Sequence, residues 1–350
     1  MSAPTEKRKA DAVVNGQNGP SKRAKVEKSE SSGSSGGGSF EQRLATMGVA
    51  GQAHSWARPA LTDAQKSGGA DLVFQLVDLD HVTEDQQTVV VRMFGVTRTG
   101  NSVCMRVKNF VPYFYVLAPD DFKPENVDSL RATVNNYALQ QVKSKELKCA
   151  VSDIELVEGE SIYGFAENKK KSFFKVKCSL PRVIPAAKRI FDTGEFPLPH
   201  IPQRTPLATF EANIDFEIRF MVDTGVTGCC WIEAKSGLYK VVSTESAKVS
   251  RCQLEVTCDH GDFVAHPAEG EWSDIAPMRI LSTDIECANR RGIFPEPEQD
   301  AVIQIANMVV RQGENMPFVR NVFVLDTCAP IVGSQVLSFQ REEQLLEARR

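Results

Sequence analysis

No apolar run approaches the roughly 18 residues needed to cross a bilayer, and the N-terminus is polar, without the basic-then-apolar pattern of a secretory leader. A helical membrane anchor and export are excluded on this reading, and an intracellular chain with no membrane partner is expected. The nine cysteines (104, 149, 178, 229, 230, 252, 258, 287 and 328) form no C-x-x-C pair and sit mostly in apolar segments, so a disulfide scaffold is not expected. Cys252 with Cys258 and His260 comes nearest to metal-ligand spacing and is read as structural. Positive charge is not in excess either: the net charge is −4, so any contact with a polyanion must come from local patches. What remains is ordinary globular composition, 42% hydrophobic and 25% charged, over a length suited to two or three domains.

Residues 1–39 hold almost no large apolar side chain and end in a Ser/Gly-rich run, too little to bury for a fold. Phe40 to Ala70 is ambiguous, with Trp56 and Leu61 as docking residues, and a disordered leader is drawn over 1–69. Within it Lys7, Arg8 and Lys9 precede Lys22, Arg23 and Lys25 by a spacing that resembles a bipartite nuclear-import signal, which predicts a nuclear protein. A generic basic arm touching nucleic acid is the alternative.

From Leu72 the texture is that of short strands with tight turns: LVFQLVDLD, TVVVRMFGV, SVCMRV and VPYFYVL. An OB-like barrel is expected, with Tyr113, Phe114 and Tyr115 beside Arg106 and Lys108 as either a base-stacking platform or core. The order that follows, counting from the strand at Tyr113, is strand, helix, strand, strand, helix, which is ferredoxin-like. Lys169, Lys170 and Lys171 fall in the turn between its central strands, where a solvated turn is the default. Phe210, Ile214, Ile218 and Met221 then recur at helical spacing and predict one apolar helix face, ended by Gly225. Arg219 and Glu211 are read as a packing pair. These elements are drawn as one N-terminal domain, 70–275.

The stretch from Met278 to Val310 reads as two strands of a hairpin, with Asp284, Ile285 and Glu286 at its centre. Side chains alternate along a strand, so Asp284 and Glu286 leave the same face with Cα atoms about 6–7 Å apart. Carboxylates beside apolar strand residues are costly to bury without a cation. Two Mg²⁺ ions held by such acids can activate water against a phosphodiester. Spacing alone also leaves open a solvated strand end.

The flanking residues add specificity. FEANIDFEIRFMVDTG, then APMRILSTDIECANRRGIFPEPEQDAVIQIANMVV and RNVFVLDTCAPIVGSQVLSF, resemble the delta-type catalytic subunits of the family B DNA polymerases, over roughly Leu72 to Arg350. The resemblance implies that the DIE triplet is the first motif of a 3′-to-5′ proofreading exonuclease of RNase H-like fold, with Asp284 and Glu286 as metal-binding acids of a two-metal, Mg²⁺-dependent site. Arg290 and Arg291, in the turn after the acids, are candidates for steering a single-stranded end; a solvated turn is the other reading. The family usually has an aromatic where this chain has Thr283, which puts packing in question rather than metal binding. If that position is buried, the smaller side chain would cost on the order of 3 kcal/mol.

Family resemblance further implies a primer-template and a single-stranded 3′ end as partners, with accessory subunits and a sliding clamp. The family's remaining exonuclease motifs, its palm aspartates and its C-terminal metal centres are not among these residues. The chain is therefore expected to end within the exonuclease domain, at 276–350, and to lack polymerase activity by itself. The overall expectation is an α+β, multidomain chain: OB-like and ferredoxin-like elements, then an incomplete RNase H-like sheet of three strands and one helix turn. Two other functions stay open: a non-catalytic nucleic-acid or protein-binding module, and an unrelated metal-dependent phosphohydrolase using Asp284 and Glu286 with Asp300 or Asp326.

Overall fold

The computed structural model describes residues 57–142, 144, 146–161 and 170–348. The basic clusters at 7–9 and 22–25, Trp56 and Lys169 lie outside them. Residues 57–69, drawn as leader from composition, are folded. Helix α1 (Asp63–Ser67) is closed by a reciprocal cap, the Gln65 N–H donating to Thr62 Oγ1 and the Thr62 N–H donating to the Gln65 side chain. The Pro59 carbonyl accepts from Asn101 Nδ2 (2.6 Å) and Gln253 Nε2 (2.9 Å), and Leu61 packs on the main core. Docking through backbone carbonyls leaves no trace in hydrophobicity, which is why composition misplaces this boundary.

Four strands follow: β1 (Leu72–Glu84), β2 (Thr88–Thr97), β3 (Ser102–Lys108) and β4 (Tyr113–Leu117). Next come helix α2 (Val127–Val142), strands β5 (Val151–Gly159) and β6 (Lys171–Cys178), helix α3 (Ile184–Asp192), the two-residue strand β7 (Thr209–Phe210) and helix α4 (Phe216–Thr224). Strands β8 (Trp231–Ala234), β9 (Tyr239–Val241), β10 (Leu254–Asp259) and β11 (Val264–His266) complete the first two sheets.

The first sheet has the order β11-β8-β1-β2-β3-β10-β9. Four strands separate β8 from β9, about 24 Å in a flat sheet. Yet only the turn from Lys235 to Leu238 joins them, and such a connection reaches at most about 18 Å. The sheet must therefore curl on itself into the expected partly open, OB-like barrel, with β3 and β10 parallel. Phe74, Val91, Met93, Met105 and Val256 fill its interior. A bulge between Leu76 and Asp78 turns Val77 outward. Gly95 is required because a Cβ there would lie 2.3 Å from the Gln75 carbonyl and the Phe74 ring.

The second sheet, order β5-β6-β4-β7, with α2 and α3 makes the β-α-β-β-α-β pattern of the ferredoxin-like unit, inserted between β3 and β8. Its fourth strand corrects the helix expected from Phe210: that residue pairs with Tyr115, and the helix starts only after Asp215. Edge pairing thus overrides the helical spacing. The buried face of α4 carries Phe216, Arg219 and Phe220, whereas Ile218 is half-exposed. The helix ends, as expected, on Gly225 with φ of 72°. Arg219 donates to Glu211 (2.6 Å) and to the Tyr113 hydroxyl (3.3 Å) and lies 4.5 Å from the centre of the Tyr113 ring, the packing role assigned to it. No aromatic platform forms: Phe114 is fully buried, Tyr113 donates to Asp223, and Arg106 sits on the barrel paired with Glu84.

Residues 272–278 carry the chain to the third sheet and are tied to the barrel. Trp231 donates to the Asp274 carbonyl (3.1 Å), the Ala276 N–H to Gln75 (2.8 Å), and Arg98 lies against both Trp231 and Trp272 while pairing with Asp274. The third sheet is β12 (Arg279–Cys287), β13 (Val302–Arg311), β14 (Val319–Leu325) and β15 (Gln335–Phe339), in that order, followed by helix α5 (Glu342–Glu347). The first three strands are antiparallel, as expected; β15, parallel to β14, is a fourth. Leu345 of α5 is buried against Ile305 and Phe323. Strand β12 lies at the edge, and Ile280, Leu281 and Ile285 remain 49–55% exposed. No helix among the described residues is long and apolar enough to cross a membrane.

Candidate functional site

Strand β12 places Asp284 and Glu286 on one face, cross-paired with Ala306 and Gln304 of β13. The partners carry no charge, and both carboxylates stand exposed. Asp284 Oδ1 accepts from the Ile285 N–H at 3.0 Å, which leaves its second oxygen for a ligand. Asp284, Ser282, Ala306, Met308, Arg320 and Val322 line a hollow of about 490 Å³. Carboxylate oxygens are the right donors for a hard divalent cation. Among the described residues, however, no third His, Cys, Asp or Glu joins them, so the pair supplies only part of a coordination shell.

The acids considered as additional ligands are placed elsewhere. Asp300 is buried and accepts from Arg290 Nε (3.2 Å), Arg290 Nη2 (3.0 Å) and the Glu296 N–H (2.8 Å). The Arg290 guanidinium holds the Asp300 carboxyl below the usual carboxylate range. Asp326 is exposed just beyond β14, with φ of 64°.

Arg290 also donates to Gln299 (2.7 Å) and Glu296 (2.9 Å), so its donors are spent riveting the loop 288–300. Arg291 is exposed, and no hydrogen bond or ion pair engages it among the described residues. Two residues escaped the sequence reading. Phe294, 90% exposed, projects from the riveted loop. Arg320 shares the face of Asp284 through the cross-strand row Ser282, Met308 and Arg320. The first could have been found as an aromatic in a turn, the second only from register.

Thr283 faces away from the acids and is exposed. Its hydroxyl donates to Asn307 (2.8 Å), whose amide donates to Asn321 (2.9 Å), a polar ladder across three strands. No aromatic-sized void arises, because the position is not enclosed.

Residues 207–349 match the exonuclease domain of DNA polymerase family B, and residues 109–185 match the N-terminal domain of proteins like the DNA polymerase delta catalytic subunit. The chain belongs to the family B DNA polymerases. The DNA polymerase delta catalytic subunit of Drosophila melanogaster is 44% identical over 306 residues, 83% of this chain and 28% of that protein. Those of Arabidopsis thaliana and Bos taurus are 40% and 42% identical, over 85% and 84% of this chain and 28% and 27% of theirs. The chain thus spans little more than a quarter of the length of the curated relatives it matches. The solved family B DNA polymerase of Pyrobaculum calidifontis superposes with a TM-score of 0.49 at 22% identity, covering 73% of this chain and 27% of that one. Within this family B chain, Asp284, Glu286, Phe294 and Arg320 all fall inside the region matched to the exonuclease domain.

Proposed function

We propose that these 350 residues form the N-terminal part of a replicative DNA-directed DNA polymerase and contribute two carboxylates to its 3′-to-5′ proofreading site. The observation that carries this reading is the pairing of Asp284 and Glu286 on one accessible strand face inside the exonuclease match. Divalent cations, Mg²⁺ by donor chemistry, would supply Lewis-acid polarisation of the scissile phosphate and acidify the attacking water. Asp284 offers the oxygen not turned to Ile285, and Glu286 stands one pleat further on. Arg320 adds positive charge on the same face. Arg291 draws the incoming single-stranded 3′ end, and Phe294 offers a ring on which a base stacks, worth about 1–3 kcal/mol per base.

The partners are a primer-template with its single-stranded 3′ end, together with accessory subunits and a sliding clamp, and the two basic clusters of residues 7–25 direct the protein to the nucleus. In the native polymerase, Asp284→Ala should abolish hydrolysis of a mispaired 3′ end while primer extension persists; unchanged hydrolysis would sink the assignment. A second reading, a non-catalytic nucleic-acid or protein-binding module, draws on the continuous core shared by the barrel and the ferredoxin-like unit beside a site with only two acids.

A further inference from the structure

On the face that carries the acids, the residue directly opposite Glu286 is Gln304 of β13. Side chains at opposite positions leave a sheet with Cβ atoms about 4.5–5.5 Å apart. Gln304 is half-buried, and among the described residues its carboxamide makes no hydrogen bond to the protein. Polar groups this sheltered normally have a partner. Here the nearest polar neighbour across the ladder is the exposed carboxylate of Glu286.

The register breaks beside this pair. Glu286 stands opposite Gln304, but Cys287 stands opposite Val302, so Ile303 is an extra residue in β13. Bulges of this kind re-aim the side chains next to them and recur beside active sites. This one is held on both sides: the Val302 N–H donates to Glu342 Oε1 of α5 at 2.8 Å, and the Ala288 N–H to the Ala301 carbonyl at 2.8 Å. Leu345 anchors α5 in turn, so a helix distant in sequence fixes the backbone on which Gln304 stands.

We infer that Gln304 orients the water that attacks the scissile phosphodiester, and that Glu342 positions Gln304 by pinning the bulge. The inference rests on the proofreading reading of Asp284 and Glu286. One hydrogen of the water is donated to the Glu286 carboxylate and the other to Gln304 Oε1, which leaves a lone pair directed at phosphorus. The water oxygen bonds to phosphorus, and the bond to the 3′ oxygen of the preceding nucleotide breaks. That oxygen leaves with the electron pair and takes a proton from solvent, to which the water gives up its own. Gln304 exchanges no proton and carries no charge; it contributes direction.

The test uses the native polymerase, a mispaired 3′ end and Mg²⁺. Gln304→Met, close in size but without the amide, should lower kcat for hydrolysis roughly ten-fold, the worth of one hydrogen bond, and leave KM unchanged. Gln304→Asn, one methylene shorter, should do the same, and thermal midpoints check that each variant folds. Methanol offers one hydrogen where water offers two. The methyl-ester share of the released nucleotide in water–methanol mixtures should therefore rise in both variants. Glu342→Ala should speed hydrogen exchange at the Val302 amide and lower kcat, whereas Glu342→Gln, which keeps the acceptor oxygen, should restore both. Unchanged kcat and methyl-ester share in the Gln304 variants would overturn the inference, as would a loss confined to KM. Undiminished hydrolysis in Asp284→Ala would instead overturn the reading beneath it.

Discussion

Thr283 carries a hydroxyl where the family resemblance leads one to expect a ring, and its consequence depends on exposure. Because the side chain is exposed and bonded to Asn307, Thr283→Val should cost no more than about 1 kcal/mol in a urea melt, against about 3 kcal/mol for a comparable loss in a packed core. The cysteines divide in the same way. Burial pushes the Cys178 and Cys258 thiols up to about 12, while Cys229 is exposed. Mass spectrometry after brief alkylation at pH 8 should find Cys229 modified and Cys178 and Cys258 untouched until the chain is unfolded. At this scale the acid pair was legible, since strand alternation follows directly from spacing. Arg290 was not: its partners Glu296, Gln299 and Asp300 lie in an aperiodic loop, where spacing carries no direction.

Among the elements, the loop 288–300 holds Phe294 outward, and its stiffness hangs on one ion-paired carboxylate. The Asp300 pKa is depressed, first by the Arg290 hydrogen bonds and then by the Glu296 N–H. The stabilisation this gives is present above the ordinary aspartate value of about 3.9 and is lost as pH falls through the depressed value. Amide protection in 288–300 should therefore hold at pH 5, fall progressively below pH 4, and be low at both in Arg290→Gln. Most strands and helices were readable from apolar pattern and turn residues. Two were not, for different reasons. Strand β7 has only two residues and exists because β4 offers an edge, and β15 depends on parallel pairing with β14 after turns at Asp326 and Gly333, both with positive φ. Neither cause is local in sequence.

For the molecule as a whole, the three sheets differ in how fully they are enclosed. The barrel and the ferredoxin-like unit share one continuous core, whereas the third sheet buries a small cluster around Ile305, Phe323 and Leu345 and leaves the β12 edge open. Expressed alone, residues 278–350 should be loose and prone to associate through that edge; sharply cooperative hydrogen exchange across the segment would contradict this.

The insertion of the ferredoxin-like unit bears on the order in which the chain comes together. About 120 residues of sequence lie between β3 and β8, and the barrel cannot curl shut until both are present. Closing so long a loop from a floppy chain would be slow. Because β4 and β7 are paired, the inserted unit, once folded, returns the chain close to where it left, and the long closure becomes a short one. During synthesis the insert should therefore reach its native contacts before the barrel that surrounds it in sequence, so that the later-made half of the barrel is recruited to a finished neighbour.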